Sequence, residues 1–146
     1  MLPANATFDK ANSGGLLRNC TSLKTAQLNS SITALGSNFF ENDKALTTVT
    51  GLSGVTTMGT NTFSGCSKLT SLDLDVSKIT AMGSSTFLNC ASLTTAYIPT
   101  NAAYTEILES TFEGATSLTS VTIPENVTIL RQKAFKNCSK LTTDRK

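Results

Sequence analysis

The apolar positions of the chain repeat. Phenylalanines at Phe40, Phe63, Phe87, Phe112 and Phe135 recur at intervals of 23, 24, 25 and 23 residues, and Leu17 fills the same place 23 residues before Phe40. Further along each unit comes an unbroken column of leucine: Leu23, Leu46, Leu69, Leu93, Leu118 and Leu141. Behind it sit Ala26, Val49, Leu72, Ala96 and Val121, then Leu28, Leu74, Ile98 and Ile123, with Gly51 the one gap. An apolar pair precedes each following anchor: Ile32 and Leu35, Val55 and Met58, Ile79 and Met82, Tyr104 and Ile107, Val127 and Leu130. A fixed period in the twenties with matched apolar columns marks a solenoid, in which no unit buries its own apolar face and neighbours bury it by stacking.

Each unit divides into three parts. Its first segment alternates apolar and polar residues, as at Leu72 to Leu74, Ala96 to Ile98 and Val121 to Ile123, which is strand periodicity with the middle residue outward. A turn follows, and a second extended piece such as Ile79 to Met82 returns along the other side. The anchor then falls in a short helical turn such as SSTFLNC, too short to be a stable free helix. Stacking aligns like with like, so the phenylalanines are expected to form one internal ladder. The unit containing Asn101 to Ser110 is the longest and has Tyr104 where valine or isoleucine stands elsewhere. Its extra residues are expected to widen a turn or to bulge as a loop at that edge.

The 146 residues therefore count coils: five full units and a partial one. At about 4.8 Å per parallel strand they make a rod or arc of roughly 25–30 Å. Residues 1–16 read as an irregular N-terminal remnant or cap and 17–146 as the solenoid, its last repeat partial. Leu2-Pro3 matches Ile123-Pro124, Asn5 matches Asn126, Phe8 is placed to cover the first coil, and Asn12 to Gly15 reads as a loop. With LTTDRK ending early in another copy, these features suggest a segment of a longer array. Only 15% of residues are charged and the net charge of +2 is dispersed, so no basic stripe suits a nucleic acid. No stretch approaches the ~18 apolar residues of a membrane span, so no membrane insertion is expected, and the N-terminus lacks the basic and apolar regions of a signal peptide.

The recurring pattern F-x-x-C-x-x-L-x-x-[VLA]-x-[IL]-P followed by [VI]-x-x-[ILM]-G resembles the BspA-like, or Treponema-type, leucine-rich repeats. FEGATSLTSVTIPENVTIL (Phe112 to Leu130) and FLNCASLTTAYIP (Phe87 to Pro99) are its clearest copies, and the likeness runs from Leu17 to Leu141. Asp43 and Ala115 replace the cysteine, Leu108 and Arg131 stand where Gly36, Gly59 and Gly83 stand elsewhere, and only Pro99 and Pro124 keep the proline. The fold expected is a right-handed leucine-rich-repeat solenoid of short parallel strands and short helical turns, in five to six coils of 23–25 residues. The resemblance also implies a secreted or cell-surface protein that binds host or other cell-surface proteins.

Candidate chemistry is thin. The chain has no histidine, which removes Ser-His-Asp and Cys-His catalysis and imidazole metal ligation together. Cys20, Cys66, Cys90 and Cys138 occupy one column without a CxxC pair, and stacked side chains point the same way, so they read as buried free thiols. Asp73 and Asp75 flank Leu74 about 6.5–7 Å apart, as a weak cation site, an acid–base pair or a solvated strand edge. Glu106, Glu109 and Glu113 make one rim acidic, and five Asn-x-Ser/Thr sequons begin at Asn5, Asn19, Asn29, Asn126 and Asn137. No enzyme activity, metal or cofactor is expected.

The outer face of the first strand is the one surface with repeated character. One column reads Thr25, Thr48, Ser71, Thr95, Ser120 and Thr143, suited by β-branching and hydroxyl contacts to a strand. The next reads Gln27, Thr50, Asp73, Tyr97 and Thr122 and is varied, as recognition positions are, with Tyr97 the leading contact candidate. The expected function is a non-catalytic protein-binding or adhesion module using Gln27, Thr48, Thr50, Ser71, Asp73, Thr95, Tyr97, Ser120 and Thr122. The alternatives are a structural spacer of a longer surface protein and an ice-binding solenoid templating water on its threonines. Open terminal coils also suggest end-to-end self-association.

Overall fold

The computed structural model describes residues 14–142, preceded by the backbone of strand β1 (Asn5–Phe8). The expectations for Leu2, Pro3, the Phe8 side chain, Asn12, Ser13 and Thr143 lie outside the described residues. The chain is a parallel β solenoid. Strand β1, β2 (Thr25–Leu28), β4 (Thr48–Thr50) and β6 (Ser71–Leu72) form one four-stranded sheet in the order β1-β2-β4-β6. On the second side, β3 (Ala34–Leu35), β5 (Thr57–Met58) and β7 (Ala81–Met82) form a three-stranded sheet. There too β8 (Glu106–Ile107) pairs with β9 (Ile129–Leu130). All pairings are parallel and follow the apolar columns, with Ala26 opposite Val49, Val49 opposite Leu72, and Leu35 opposite Met58.

Strand β1 corrects one expectation. Asn5 lies opposite Thr25 and Phe8 opposite Leu28. The segment thus supplies the first strand of the sheet, and Asn5 occupies the Thr25 column rather than the turn position of Asn126.

The anchor turn corrects another. No helix forms among the described residues, because two residues in every anchor turn are left-handed, one on each side of the anchor. The pairs are Gly15 and Asn19, Asn38 and Asn42, Asn61 and Gly65, Ser85 and Asn89, Ser110 and Gly114, and Lys133 and Asn137. Left-handed residues end a right-handed helix after a single turn, and Gly and Asn adopt that conformation at least cost. The backbone donors then alternate. Asp43 N–H and Cys66 N–H bond within the turn to the carbonyls of Phe40 and Phe63, whereas Asn38, Phe40 and Asn42 donate axially to Thr60, Thr62 and Ser64 of the next coil at 2.8–2.9 Å. The same triple of bonds links Ser85, Phe87 and Asn89 to Glu109, Thr111 and Glu113. The anchor segment is therefore a hydrogen-bonded ladder between coils.

Inside it run the phenylalanines. The rings of Phe40, Phe63, Phe87, Phe112 and Phe135 stack at 5.2–5.5 Å between centroids with planes within 9° of parallel. The coil spacing imposes this separation, and the offset it leaves suits the ring quadrupoles. Thr62, Thr86 and Thr111, fully buried beside the anchors, donate their hydroxyls to the carbonyls of Gly59, Gly83 and Leu108 at 2.6–2.8 Å.

Candidate functional site on the strand face

The N-terminal half of the predicted face is built as a sheet. In β2, Ala26 and Leu28 point into the core and leave Gln27 exposed, and in β4 buried Val49 alternates with exposed Thr50 and half-buried Thr48. On β6 Ser71, opposite Thr48, is exposed on the same face. Gln27, Leu28, Asn29, Ser30, Thr50 and Gly51 line an open depression of about 400 Å³. The gap in the apolar column at Gly51 has a steric cause. Its φ is +85°, and a Cβ there would stand 2.0 Å from the Leu28 carbonyl oxygen.

Asp73 is exposed as expected, and both Asp73 and Tyr97 also bond to the scaffold. The Asp73 carboxylate accepts the backbone N–H groups of Gly51 at 3.0 Å and Leu52 at 2.9 Å, holding the turn of the coil before it. Asp75 is taken up separately, its Oδ1 accepting the Ser77 hydroxyl at 2.6 Å and the Ser77 N–H at 3.1 Å, which holds its carboxyl below the usual carboxylate range. The two acids serve different turns and do not converge on a shared ligand.

Tyr97 is half-buried rather than exposed. Ile98 N–H bonds back to the Ala96 carbonyl at 2.8 Å, an i→i+2 turn that takes Tyr97 out of the extended conformation. Its ring leans on Phe87 at 6.1 Å, and its hydroxyl accepts the Leu72 N–H at 3.1 Å. The tyrosine oxygen thus satisfies a donor at the edge where the four-stranded sheet ends. Thr95, Ser120 and Thr122 are exposed beyond this break, on segments that form no strand. The face is consequently divided: Gln27, Thr48, Thr50 and Ser71 lie on a continuous sheet, and the C-terminal positions lie apart from it.

The second side breaks at the same junction. β7 and β8 do not pair, and a cavity of about 190 Å³ lies between Thr80, Ala81 and Met82 on one side and Tyr104, Thr105 and Glu106 on the other. The longer unit is responsible. Its extra residues widen a turn in which Asn101 receives the Ala103 N–H at 2.9 Å and donates its own amide to the Ser77 carbonyl at 3.1 Å. Tyr104 is buried behind this turn, and burial pushes its hydroxyl up to about 12. Two of the rim glutamates are partnered, Glu106 by Arg131 at 2.6 Å and Glu109 by Gln132 at 3.1 Å. The sequon residue Asn126 spends its side-chain amide on the carbonyls of Pro99, Asn101 and Tyr104.

The cysteines are free thiols, and Cys66, Cys90 and Cys138 are buried. Each of these three donates its S–H to the carbonyl of the anchor one coil earlier, Phe40, Phe63 or Phe112, at 3.1–3.2 Å. Burial raises all three above the ordinary thiol value, which suppresses the nucleophilic thiolate. Among the described residues no cluster of three or more acidic or cysteine side chains could hold a metal ion, and no helix is long and apolar enough to cross a membrane.

Repeated leucines and anchors, parallel strands stacked coil on coil and inter-coil turn ladders define a leucine-rich-repeat solenoid. Six copies of the BspA type leucine rich repeat region match residues 14–142, and the chain belongs to that family. Among solved structures it is similar to a leucine-rich cell surface protein of Faecalibacterium prausnitzii A2-165 (TM-score 0.74, 22% identity), covering 98% of this chain and 48% of that one. A leucine-rich repeat protein of Bacteroides ovatus ATCC 8483 matches with TM-score 0.71 and 22% identity over 94% of this chain and 40% of its own. The leucine-rich repeat protein of T. pallidum matches with TM-score 0.66 and 20% identity over 93% of this chain and 72% of its own. The chain thus spans less than half the length of the first two. No curated protein sequence matches it.

Proposed function

We propose that the chain is a non-catalytic, extracellular or cell-surface module that binds a protein ligand through its strand face. The observation that carries this reading is the polar outer face of one parallel sheet, with exposed Gln27 opposite Thr50 and half-buried Thr48 opposite exposed Ser71, beside the depression between β2 and β4. Outward side chains on such a sheet can vary without disturbing the core, and a preformed backbone lowers the entropy cost of binding. The description of the F. prausnitzii protein as a cell surface protein supports the location. Asp73 and Tyr97 take part by shaping the face, and Thr95, Ser120 and Thr122 form its separate C-terminal part.

The test is binding of purified host extracellular proteins to the wild-type chain and to a Gln27→Lys/Thr50→Lys/Ser71→Lys variant with an unchanged unfolding midpoint. A saturable ligand lost at least about tenfold in the variant supports the reading. Equal binding by both chains, or binding by neither, overturns it and favours the spacer.

A second reading, end-to-end self-association, is favoured by the exposed apolar pair of β9. Ile129 and Leu130 are 42% and 53% exposed. Sedimentation velocity that shows concentration-dependent dimers, abolished by Leu130→Lys, is the expected result. A monomer at every concentration refutes it.

A further inference from the structure

Asp43 stands in the column otherwise held by Cys20, Cys66, Cys90, Ala115 and Cys138. It is fully buried, at 0% exposure. Its Oδ1 accepts the Cys20 N–H at 2.7 Å, while its Oδ2 is buried without any hydrogen-bond partner. Buried polar atoms are almost always satisfied, so the orphan oxygen requires a physical reason.

The column supplies one. Cys66, Cys90 and Cys138 act there as donors, each sending its S–H to the anchor carbonyl one coil earlier. By the repeat, the carbonyl facing Asp43 belongs to Leu17. A side chain in this position faces an acceptor, and a carboxylate has no proton to offer it, whereas a carboxylic acid has one.

The surrounding charges do not favour ionisation. Cys20 lies in the coil before and Cys66 in the coil after, and a charge on Asp43 opposes ionisation of either thiol. Glu41, in the same turn, is already paired with Arg18 at 2.9 Å, which leaves that guanidinium committed elsewhere. Lys44 is exposed, and Asp43 makes no ion pair among the described residues.

We propose that Asp43 is a proton-binding site of the folded chain. It is held as the neutral acid at neutral pH, its Oδ2–H replacing the thiol S–H toward the Leu17 carbonyl, and losing that proton loosens the junction between the first two anchor turns. Burial, opposed only by the Cys20 N–H, pushes the Asp43 carboxyl from 3.8 up to about 8, in keeping with the geometry. The sign follows from linkage. Between those two values the fold retains a proton that the unfolded chain has released, so this stabilisation is complete below the lower value and is lost as pH rises through the upper one. The first coils are therefore tighter in mildly acidic surroundings than in alkaline ones.

The test combines a carbon-13 NMR titration of the Asp43 carboxyl in the whole chain with urea unfolding at about pH 5 to 9. The unfolding arm compares the wild type with Asp43→Cys, which restores the column donor, and Asp43→Asn, which carries a permanent one. The expected carboxyl titration midpoint lies above about pH 6.5, and the wild-type urea midpoint falls with rising pH while both variants hold theirs to about pH 8. A carboxyl midpoint below about pH 5, or parallel pH dependence in wild type and Asp43→Cys, overturns the proposal. The NMR arm requires no variant to fold.

Discussion

Replacing Phe87 by alanine tests the packing account at its centre. The side chain is fully buried, its ring stacks on Phe63 and on Phe112 at 5.5 Å, and it supports the Tyr97 ring at 6.1 Å. Truncation of a buried phenylalanine costs about 3–5 kcal/mol. The upper part of that range is expected, because three ring contacts, each contributing about 0.5–1.5 kcal/mol, disappear together. The coils cannot close over the void, since the axial ladder through Phe87 N–H and Thr111 holds them at their spacing. Phe135 is the internal control: it is only half-buried and stacks on Phe112 alone, so Phe135→Ala is expected to cost about half as much. Urea unfolding followed by far-ultraviolet circular dichroism measures both, with the slope reporting whether the stack still melts as a unit. Equal costs for the two variants, or less than about 1.5 kcal/mol for Phe87→Ala, refute the reasoning.

Three further substitutions probe the turns and the sheet end. Gly51→Ala places a Cβ against the Leu28 carbonyl at a φ of +85° and is expected to destabilise by at least about 2 kcal/mol, visible as a lowered melting temperature. Tyr97→Phe keeps the ring on Phe87 but leaves the Leu72 N–H without its acceptor. A loss of about 1–2 kcal/mol is expected, with faster exchange of the Leu72 amide by NMR. Ser85 is left-handed at φ 57°, so Ser85→Gly is expected to raise stability by about 0.5–1 kcal/mol, relief of backbone strain exceeding the added chain entropy. A destabilised Ser85→Gly protein would contradict the two-sided left-handed turn as the reason no helix forms.

The solenoid and most of its core were readable from the period of the apolar columns. Those follow from a one-dimensional rule, that identical positions stack, and so Phe40 to Phe135 and Leu23 to Leu141 could be placed without coordinates. The left-handed positions were not read from the sequence: a seven-residue window such as SSTFLNC reads as a helical turn until the residues two before and two after the anchor are taken together. Tertiary structure alone decided the uses of the side chains that break the repeat. Asp73 and Tyr97 looked free because strand alternation says only which face a residue is on. Whether a polar group there also meets a neighbouring coil's N–H depends on backbone geometry one coil away, and both exposed Asp73 and half-buried Tyr97 do. The same holds for Asp43, whose column mates showed that the site is buried, while only the packed coils showed that one of its oxygens faces no donor.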